Sequence, residues 1–442
     1  AVAGAGGEGG AVRRRVALCG TLSAALAATP GLAAADDLSA YFPASLPGYG
    51  VERGVTVVSR LRPGYDALGL RVGDMLDAQP ALEQSIGFDS NPAPGVTGIR
   101  PSLVEITHPS LSLSSEDDRI HLGAYVDLTD TRYLEDPSVD TTDYTVATGA
   151  VIEIGPGHLT VGLAHLMLHQ ARTDLGALPS DAPIAFVVDD ARAAYTLPDG
   201  PLTVKVDTDL QHYRFDATTI EGIPVPQAYR DRVVAQGGVT LRYDLADLRS
   251  AIVVLRGADT AYQNNAPLQP TRDSQGATLL AGLDYDDDGV WHWRVLLGVA
   301  ARHYDAGVYG NHVAPVAEAD LIWNPDGMET VTGRLSRTIE DAAQEGVSGY
   351  TWTQASLVWD HEYLRNLLLQ VRVGFQWVAF LQGGGDQYAE TAGLGATWLV
   401  SRYVHVTLTY DHTSQQGGRS AFLGTVGSYG RDVGLLSARL AL

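Results

Sequence analysis

The sequence predicts an all-β protein: a transmembrane, antiparallel, up-and-down β-barrel of about eighteen strands, with sixteen to twenty compatible with the pattern. Three observations carry that prediction. A period-two hydrophobic pattern runs from about residue 81 to residue 442. The connections between apolar segments alternate between tight and long. No stretch after residue 36 is apolar for the roughly 18 residues a membrane helix needs. Composition narrows the field further. The 442 residues carry a net charge of −22 and are 45% hydrophobic, too apolar for a disordered acidic chain. Among the basic residues only Lys205 is a lysine, and no basic run lies outside the leader, so nucleic-acid binding is excluded as a default.

Taken in chain order, Arg13, Arg14 and Arg15 precede an apolar stretch from Val16 to Ala28, and Ala33, Ala34 and Ala35 precede Asp36. Residues 1–35 therefore read as a secretory signal peptide cut near Ala35, with residues 1–11 as an upstream extension. Cys19 follows Leu18, whereas lipoprotein processing needs a small residue there, so no lipid anchor is expected. The exported chain then has no cysteine and must draw its stability from a large hydrogen-bonded architecture. Residues 36–80 hold Pro43, Pro47, Pro63, Gly48, Gly50 and Gly54 and read as a periplasmic N-terminal segment. That composition leaves open whether the segment docks a partner, plugs a lumen or hangs loose.

Residues 81–442 form the expected barrel, with strands centred near residues 85, 107, 124, 148, 164, 190, 207, 238, 256, 279, 297, 318, 333, 354, 372, 393, 408 and 436. Leu369, Val371, Val373, Phe375 and Trp377 share one face, with Gln370, Arg372 and Gln376 on the other. The same split sets Leu202, Val204 and Val206 against Lys205, Asp207 and Asp209, and Trp291, Trp293, Val295 and Leu297 against Arg294 and Arg302. Such alternation suits a sheet that is oily on one side and wet on the other. Even-numbered strands end in tight turns such as Gly155-Pro156-Gly157, Pro198-Asp199-Gly200 and Asn324-Pro325-Asp326-Gly327, while the connections after odd strands are longer and polar. Short turns at one end and long loops at the other match a bacterial outer-membrane barrel with both chain ends in the periplasm. Tyr195, Tyr243, Tyr285, Trp291, Trp323, Trp359, Trp398 and Tyr403 cluster by the turns, and Tyr133, Tyr144, Tyr213, Tyr262, Tyr304, Tyr350 and Tyr410 by the loops, as two interfacial girdles would.

Function is expected on the wet face. Its candidate lumen-lining residues are Lys205, Asp207, Asp209, Arg294, Arg302, Glu318, Asp320, Arg334, Gln370, Arg372, Gln376, Tyr403 and His405. Charged, amide and aromatic groups of this kind hydrate a pore and hold sugar hydroxyls weakly enough for release. Asp284 to Gly289 begins like a calcium loop, but Val295 stands where the closing Glu belongs, so an acidic turn is the reading. His165 and His169 lie four apart, about 13 Å along a strand, too far for one metal. With neither a Gly-x-Ser-x-Gly elbow nor a phosphate loop, neither enzyme activity nor a cofactor is expected.

The run Gly69-Leu70-Arg71-Val72-Gly73-Asp74-Met75, then Pro80, then Gly87-Phe88-Asp89-Ser90-Asn91-Pro92 resembles the opening of the outer-membrane β-barrel porin family associated with exopolysaccharide biosynthesis and export gene clusters. Met75 stands where that family usually has an aromatic. The resemblance, over about residues 55–442, implies a conduit for a secreted polysaccharide in a Gram-negative outer membrane, working beside periplasmic export or synthase components. The alternatives are a general or sugar-uptake porin for small hydrophilic solutes, and a structural or adhesive barrel with a closed interior.

Overall fold

The computed structural model describes residues 38–50, 54–73, 75–96, 100–115, 117, 119–246, 248–287, 289–382, 385–417 and 427–442. The expected signal peptide and Cys19 lie outside the described residues. Eighteen long strands follow one another: β1 (Leu76–Asp89), β2 (Ser102–Ser115), β3 (Ile120–Tyr133), β4 (Thr141–Ile154), β5 (Gly157–Gln170), β6 (Ile184–Asp199), β7 (Leu202–Phe215), β8 (Arg232–Ala246), β9 (Arg249–Tyr262), β10 (Ser274–Asp287), β11 (Trp291–Tyr304), β12 (Asn311–Asp326), β13 (Glu329–Asp341), β14 (Gly349–Leu364), β15 (Leu367–Phe380), β16 (Asp386–Leu399), β17 (Val404–Gly417) and β18 (Tyr429–Ala441). Each pairs antiparallel with its sequence neighbours, and β18 returns to β1 in register from Ala81↔Ala441 to Asp89↔Val433, closing the sheet. Closure leaves none of these eighteen strands at an edge, which a sheet bathed in lipid requires because unpaired backbone groups find no water there.

Every strand centre read from the sequence falls inside one of these strands. The first strand begins at Leu76, a few residues before the expected boundary, and incorporates Pro80. Fourteen residues at about 3.3 Å each, tilted by roughly 40°, rise some 35 Å, enough to cross a bilayer. Connections after even strands are tight. Two of them are the dipeptides Gly155-Pro156 and Gly200-Pro201, whose glycines sit at φ 61° and 59°, the left-handed region that a two-residue hairpin demands at its first position.

Side chains that share the period-two register of Val373 (48% exposed), Leu297, Leu408 and Leu436 point outward and carry the exposed apolar surface. The opposite row is identified by contacts between strands that are not neighbours, which only the concave side permits. Arg256 of β9 pairs with Glu318 of β12. Arg372 of β15 lies 2.7 Å from Asp411 of β17, and Arg242 of β8 lies 3.1 Å from Asp284 of β10.

The aromatic rows split unequally. On the turn side, Trp291 stacks on Trp323 with centroids 5.1 Å apart, and Trp359, Trp398 and Tyr243 are exposed outward. On the loop side the expected girdle is corrected. Tyr213 and Tyr304 are fully buried on the inner row, Tyr262 lies beneath Arg272 on that row, and Tyr133 and Tyr350 share it. Only Tyr144 and Tyr410 of that set belong to the outward register. The reason is parity: Tyr213 has the parity of Asp207 and Asp209, and Tyr304 that of Arg294 and Arg302, so the pleat turns them inward.

Candidate functional site

The interior is built from the inner row and from chain that folds into it. Leu38, Phe42, Leu46 and Tyr49 of the N-terminal segment are buried in one cluster with Leu166, Leu168, Ile184, Phe186, Val188, Tyr213 and Phe215 of β5–β7. Gly123, Gly149 and Gly162 make room for it, because a Cβ on any of them would collide with Pro47 or Tyr49. Tyr49 is locked in place: its hydroxyl donates to Asp190 Oδ1 at 2.7 Å, and the Arg192 guanidinium stacks 4.3 Å over its ring. Arg192 in turn lies 2.9 Å from Asp190 and 3.3 Å from Asp209.

Downstream, residues 54–69 run along the turn end of the inner wall. Val57 N donates to Thr330 Oγ1 at 2.9 Å. Arg60 and Arg62 both pair with Glu362. His405 Nε2 lies 2.9 Å from Tyr65 O, and Gly69 N donates to Leu442 O at 3.1 Å.

At the loop end, residues 171–183 reach other parts of the rim. Gly176 N donates to Gln387 Oε1 and its carbonyl accepts from Gln344 Nε2, both at 2.9 Å, while the Tyr429 hydroxyl donates to Thr173 O at 3.2 Å. Arg272 donates to the carbonyls of Ala342 and Tyr229, tying three loops together. Arg302 and Arg232 converge on Asp341 at 2.6 and 3.1 Å. Burial raises the Asp174 carboxyl in this loop to about 7, with Arg431 opposing and Asp143 adding to the shift. Burial also pushes the Arg230 guanidinium down to about 10.

Ten of the thirteen sequence-selected residues fall into three groups. Arg294, Asp320 and Arg334 meet on β11–β13, with Arg294 2.8 Å and Arg334 4.0 Å from Asp320, and Glu318 beside them holds Arg256. Gln370 and Arg372 form a chain from Asp360 to Asp411, with Arg372 donating to Gln370 Oε1 at 2.6 Å; Gln376 is buried on the same row. Lys205, Asp207 and Asp209 share the inner row of β7 beneath Tyr49 and Arg192. Arg302 and His405 belong to the loop-end and N-terminal contacts instead. Tyr403 sits in the turn before Val404, half exposed, outside the inner row. His165 pairs with Asp189 at 2.7 Å on the outward row, and His169 with Asp143 at 2.6 Å.

One feature was missed from the sequence, and another was left among open alternatives. An apolar patch of Ile252, Val254, Leu280, Leu296 and Val316 lines the inner wall of β9–β12. Lumen filling by residues 38–50, one of the three roles left open for that segment, had a signal: apart from His165, Leu163–Leu168 and Ile184–Val188 are apolar on both parities. In a half-wet barrel, that means something apolar covers the inner face.

None of the curated proteins matches the sequence. Among solved structures, the chain is similar to the outer membrane protein OpdK of Pseudomonas aeruginosa, at 13% identity and TM-score 0.43, covering 83% of this chain and 99% of that one. It is similar to OccK2 (OpdF) of the same organism in complex with glucuronate, at 14% identity and TM-score 0.46, covering 83% and 98%. It is also similar to a BenF-like porin from Pseudomonas fluorescens Pf-5, at 12% identity and TM-score 0.44, covering 83% and 99%. A family model described as Putative beta-barrel porin 2 matches residues 62–433, nearly the whole closed sheet. With that match laid over eighteen membrane-length strands, oily outside and polar within, the chain belongs to the Putative beta-barrel porin 2 family and is a β-barrel porin of the bacterial outer membrane.

Proposed function

We propose that the barrel passes small hydrophilic solutes by diffusion, rather than threading an exopolysaccharide outward. The observation that carries this reading is the chain inside the barrel: residues 38–50 occupy the inner face of β3–β7, and the 171–183 loop crosses to Gln387 and Gln344. What is left for passage is narrower than the sheet itself. Its lining would be the polar row of Lys205, Asp207, Asp209, Arg294, Glu318, Asp320, Arg334, Gln370 and Arg372, where paired cations and anions offer both donors and acceptors to a hydroxylated solute without holding it tightly. Polymer export, with its periplasmic synthase or export partner, would require residues 38–50 to leave a site where Tyr49 is 3% exposed.

The test is a swelling assay on liposomes containing the purified protein, with neutral sugars of increasing length. Entry of mono- and disaccharides with exclusion of longer oligomers is expected. Free entry of long oligosaccharides, or loss of surface polysaccharide on gene deletion with small-solute uptake intact, would return the export reading.

A further inference from the structure

The outward row of β12–β16 carries two charges that the barrel itself does not neutralise. From the turn-end tryptophans Trp323, Trp359 and Trp398 up to the strand tips, the charged members of this row are Arg337 on β13 and Glu390 on β16. Around them Leu335, Leu357, Val373 and Phe375 are exposed. Arg337 donates through Nε to Pro315 O at 3.1 Å, through Nη1 to Thr353 Oγ1 at 2.5 Å and through Nη2 to Thr351 Oγ1 at 3.3 Å, and its guanidinium lies 5.3 Å from the centre of the Trp377 ring. All of these partners are neutral. Glu390 is exposed, and its carboxylate has no partner among the described residues. Elsewhere on the outward row charges are paired within the chain: Arg132 with Asp130, Arg214 with Asp189 and His412 with Asp432.

Arg337 has a local task as well. The β12–β13 ladder ends at Ala317↔Arg337, although β12 reaches up to Asn311 and β13 to Asp341, and Pro315 brings no N–H to it. Capping the Pro315 carbonyl needs a donor, however, not a charge. A lone cation or anion on a lipid-facing wall is destabilising in proportion to its depth, so the two charges themselves have to be compensated from outside the chain.

Their placement shows how. Arg337 lies four residues from the loop end of β13 at Asp341, and Glu390 lies four from the loop end of β16 at Asp386. With roughly 2.5 Å of rise per residue in a strand tilted by about 40°, both sit about 10 Å below the strand tips. Leu335, Ala355, Phe375 and Glu390 stand opposite one another across β13–β16, so three strand spacings of about 4.8 Å set the charges about 15 Å apart along the wall. A two-fold axis along the membrane normal preserves height. Placed midway, by Ala355 and Phe375, it brings Arg337 of each copy to Glu390 of the other.

We propose that this face is the contact between two copies of the barrel, related by a two-fold axis normal to the membrane and held by two reciprocal Arg337–Glu390 ion pairs. Lipid covers an apolar wall about as well as protein does, so the apolar residues alone give little drive for association, and the charges give it. Both charges lie on one patch, which suits a self-complementary pair; a ring joins two different patches. A phosphate-bearing lipid head group would compensate Arg337 and leave Glu390 bare, whereas a second copy compensates both.

The experiment counts photobleaching steps of fluorophore-labelled, full-length protein in phosphatidylcholine vesicles over a range of protein-to-lipid ratios, which yields a dissociation constant in the membrane. Two copies per assembly are expected. Arg337→Glu and Glu390→Arg should each raise the dissociation constant by about tenfold or more, because like charges then face each other, and the double exchange should restore it. Heat-modifiable migration reports folding of each variant. Arg337→Gln keeps a donor for Pro315 and should weaken association even where the charge reversal does not fold. Arg132→Gln, on β3 and paired within the chain, should leave association unchanged. One copy or three in the unmodified protein would overturn the proposal, as would weakening in both single reversals without recovery in the double exchange. Indifference to Glu390→Arg would also overturn it, and is the result expected if Arg337 holds a lipid head group instead. The contact is independent of the solute that passes, so conductance per barrel should be the same in all folded variants.

Discussion

Removing the hydroxyl of Tyr49 is the most direct way to ask whether residues 38–50 set the width of the passage. That hydroxyl donates to Asp190, whose side chain has no exposure at all, at 2.7 Å, and the ring lies beneath Arg192. A hydrogen bond to a charged, buried acceptor is worth about 1.5–3 kcal/mol. Tyr49→Phe keeps the ring and its cation contact, so it should favour release of the segment by that amount, roughly a 10- to 150-fold rise in the ratio of released to seated states. Tyr49→Ala also removes the ring from the cluster with Leu166 and Val188 and should cost about 3–5 kcal/mol in total. Single-channel recording reads this directly, as new or longer-lived events of higher conductance that increase from the unmodified protein to Tyr49→Phe to Tyr49→Ala. Matching conductance histograms for all three, with unchanged heat-modifiable migration showing intact barrels, would refute the idea that this segment limits the pore.

Other consequences of the geometry are open to measurement. Val373 sits midway along β15 on the lipid row, so Val373→Arg should destabilise the barrel by about 2–4 kcal/mol in equilibrium urea unfolding from vesicles, whereas Gln370→Arg, facing Asp360 inside, should cost under about 1 kcal/mol; equal costs would contradict the assigned facing. Because burial raises Asp174 to about 7 from an ordinary value near 4, the protonated form favours the docked loop. Its stabilising contribution is complete below about pH 4 and is lost as pH rises through 7, so the difference in Tm between the unmodified protein and Asp174→Asn should change across that window and level off above it. Glu362→Gln leaves Arg60 and Arg62 without their shared carboxylate and should make residues 54–69 more susceptible to trypsin while the barrel still migrates as folded.

The strands were legible because alternation of Val373, Phe375 and Trp377 with Gln370, Arg372 and Gln376 is imposed by lipid on one side and water on the other, a constraint each segment states locally. The turns were legible for a similar reason: Gly155 and Gly200 stand where a two-residue reversal needs positive φ. What lay inside the barrel was harder to see, since it depends on partners remote in sequence. Asp190 was not singled out among the lumen candidates, because its role emerges only when Tyr49, 141 residues away, is placed on it. The Arg294–Asp320–Arg334 group was assembled from residues chosen singly, and only the register of β11–β13 brings them together. Tyr213 and Tyr304 were assigned to a girdle by height along the strand, when their parity already directed them inward.

The seam between β1 and β18 joins the two ends of the sheet, with Asp89 opposite Val433 and Gly69 bonded to Leu442. A chain interrupted anywhere before Tyr429 therefore has seventeen strands at most and two raw borders, each a template for another polypeptide. Sealing also separates the interior from the surrounding lipid, so residues 38–50, which the finished cylinder surrounds, must be gathered in before the last strand docks or be drawn in through an open mouth afterwards. The pairing of β18 with β1 is thus the contact that turns an open sheet into an enclosed interior.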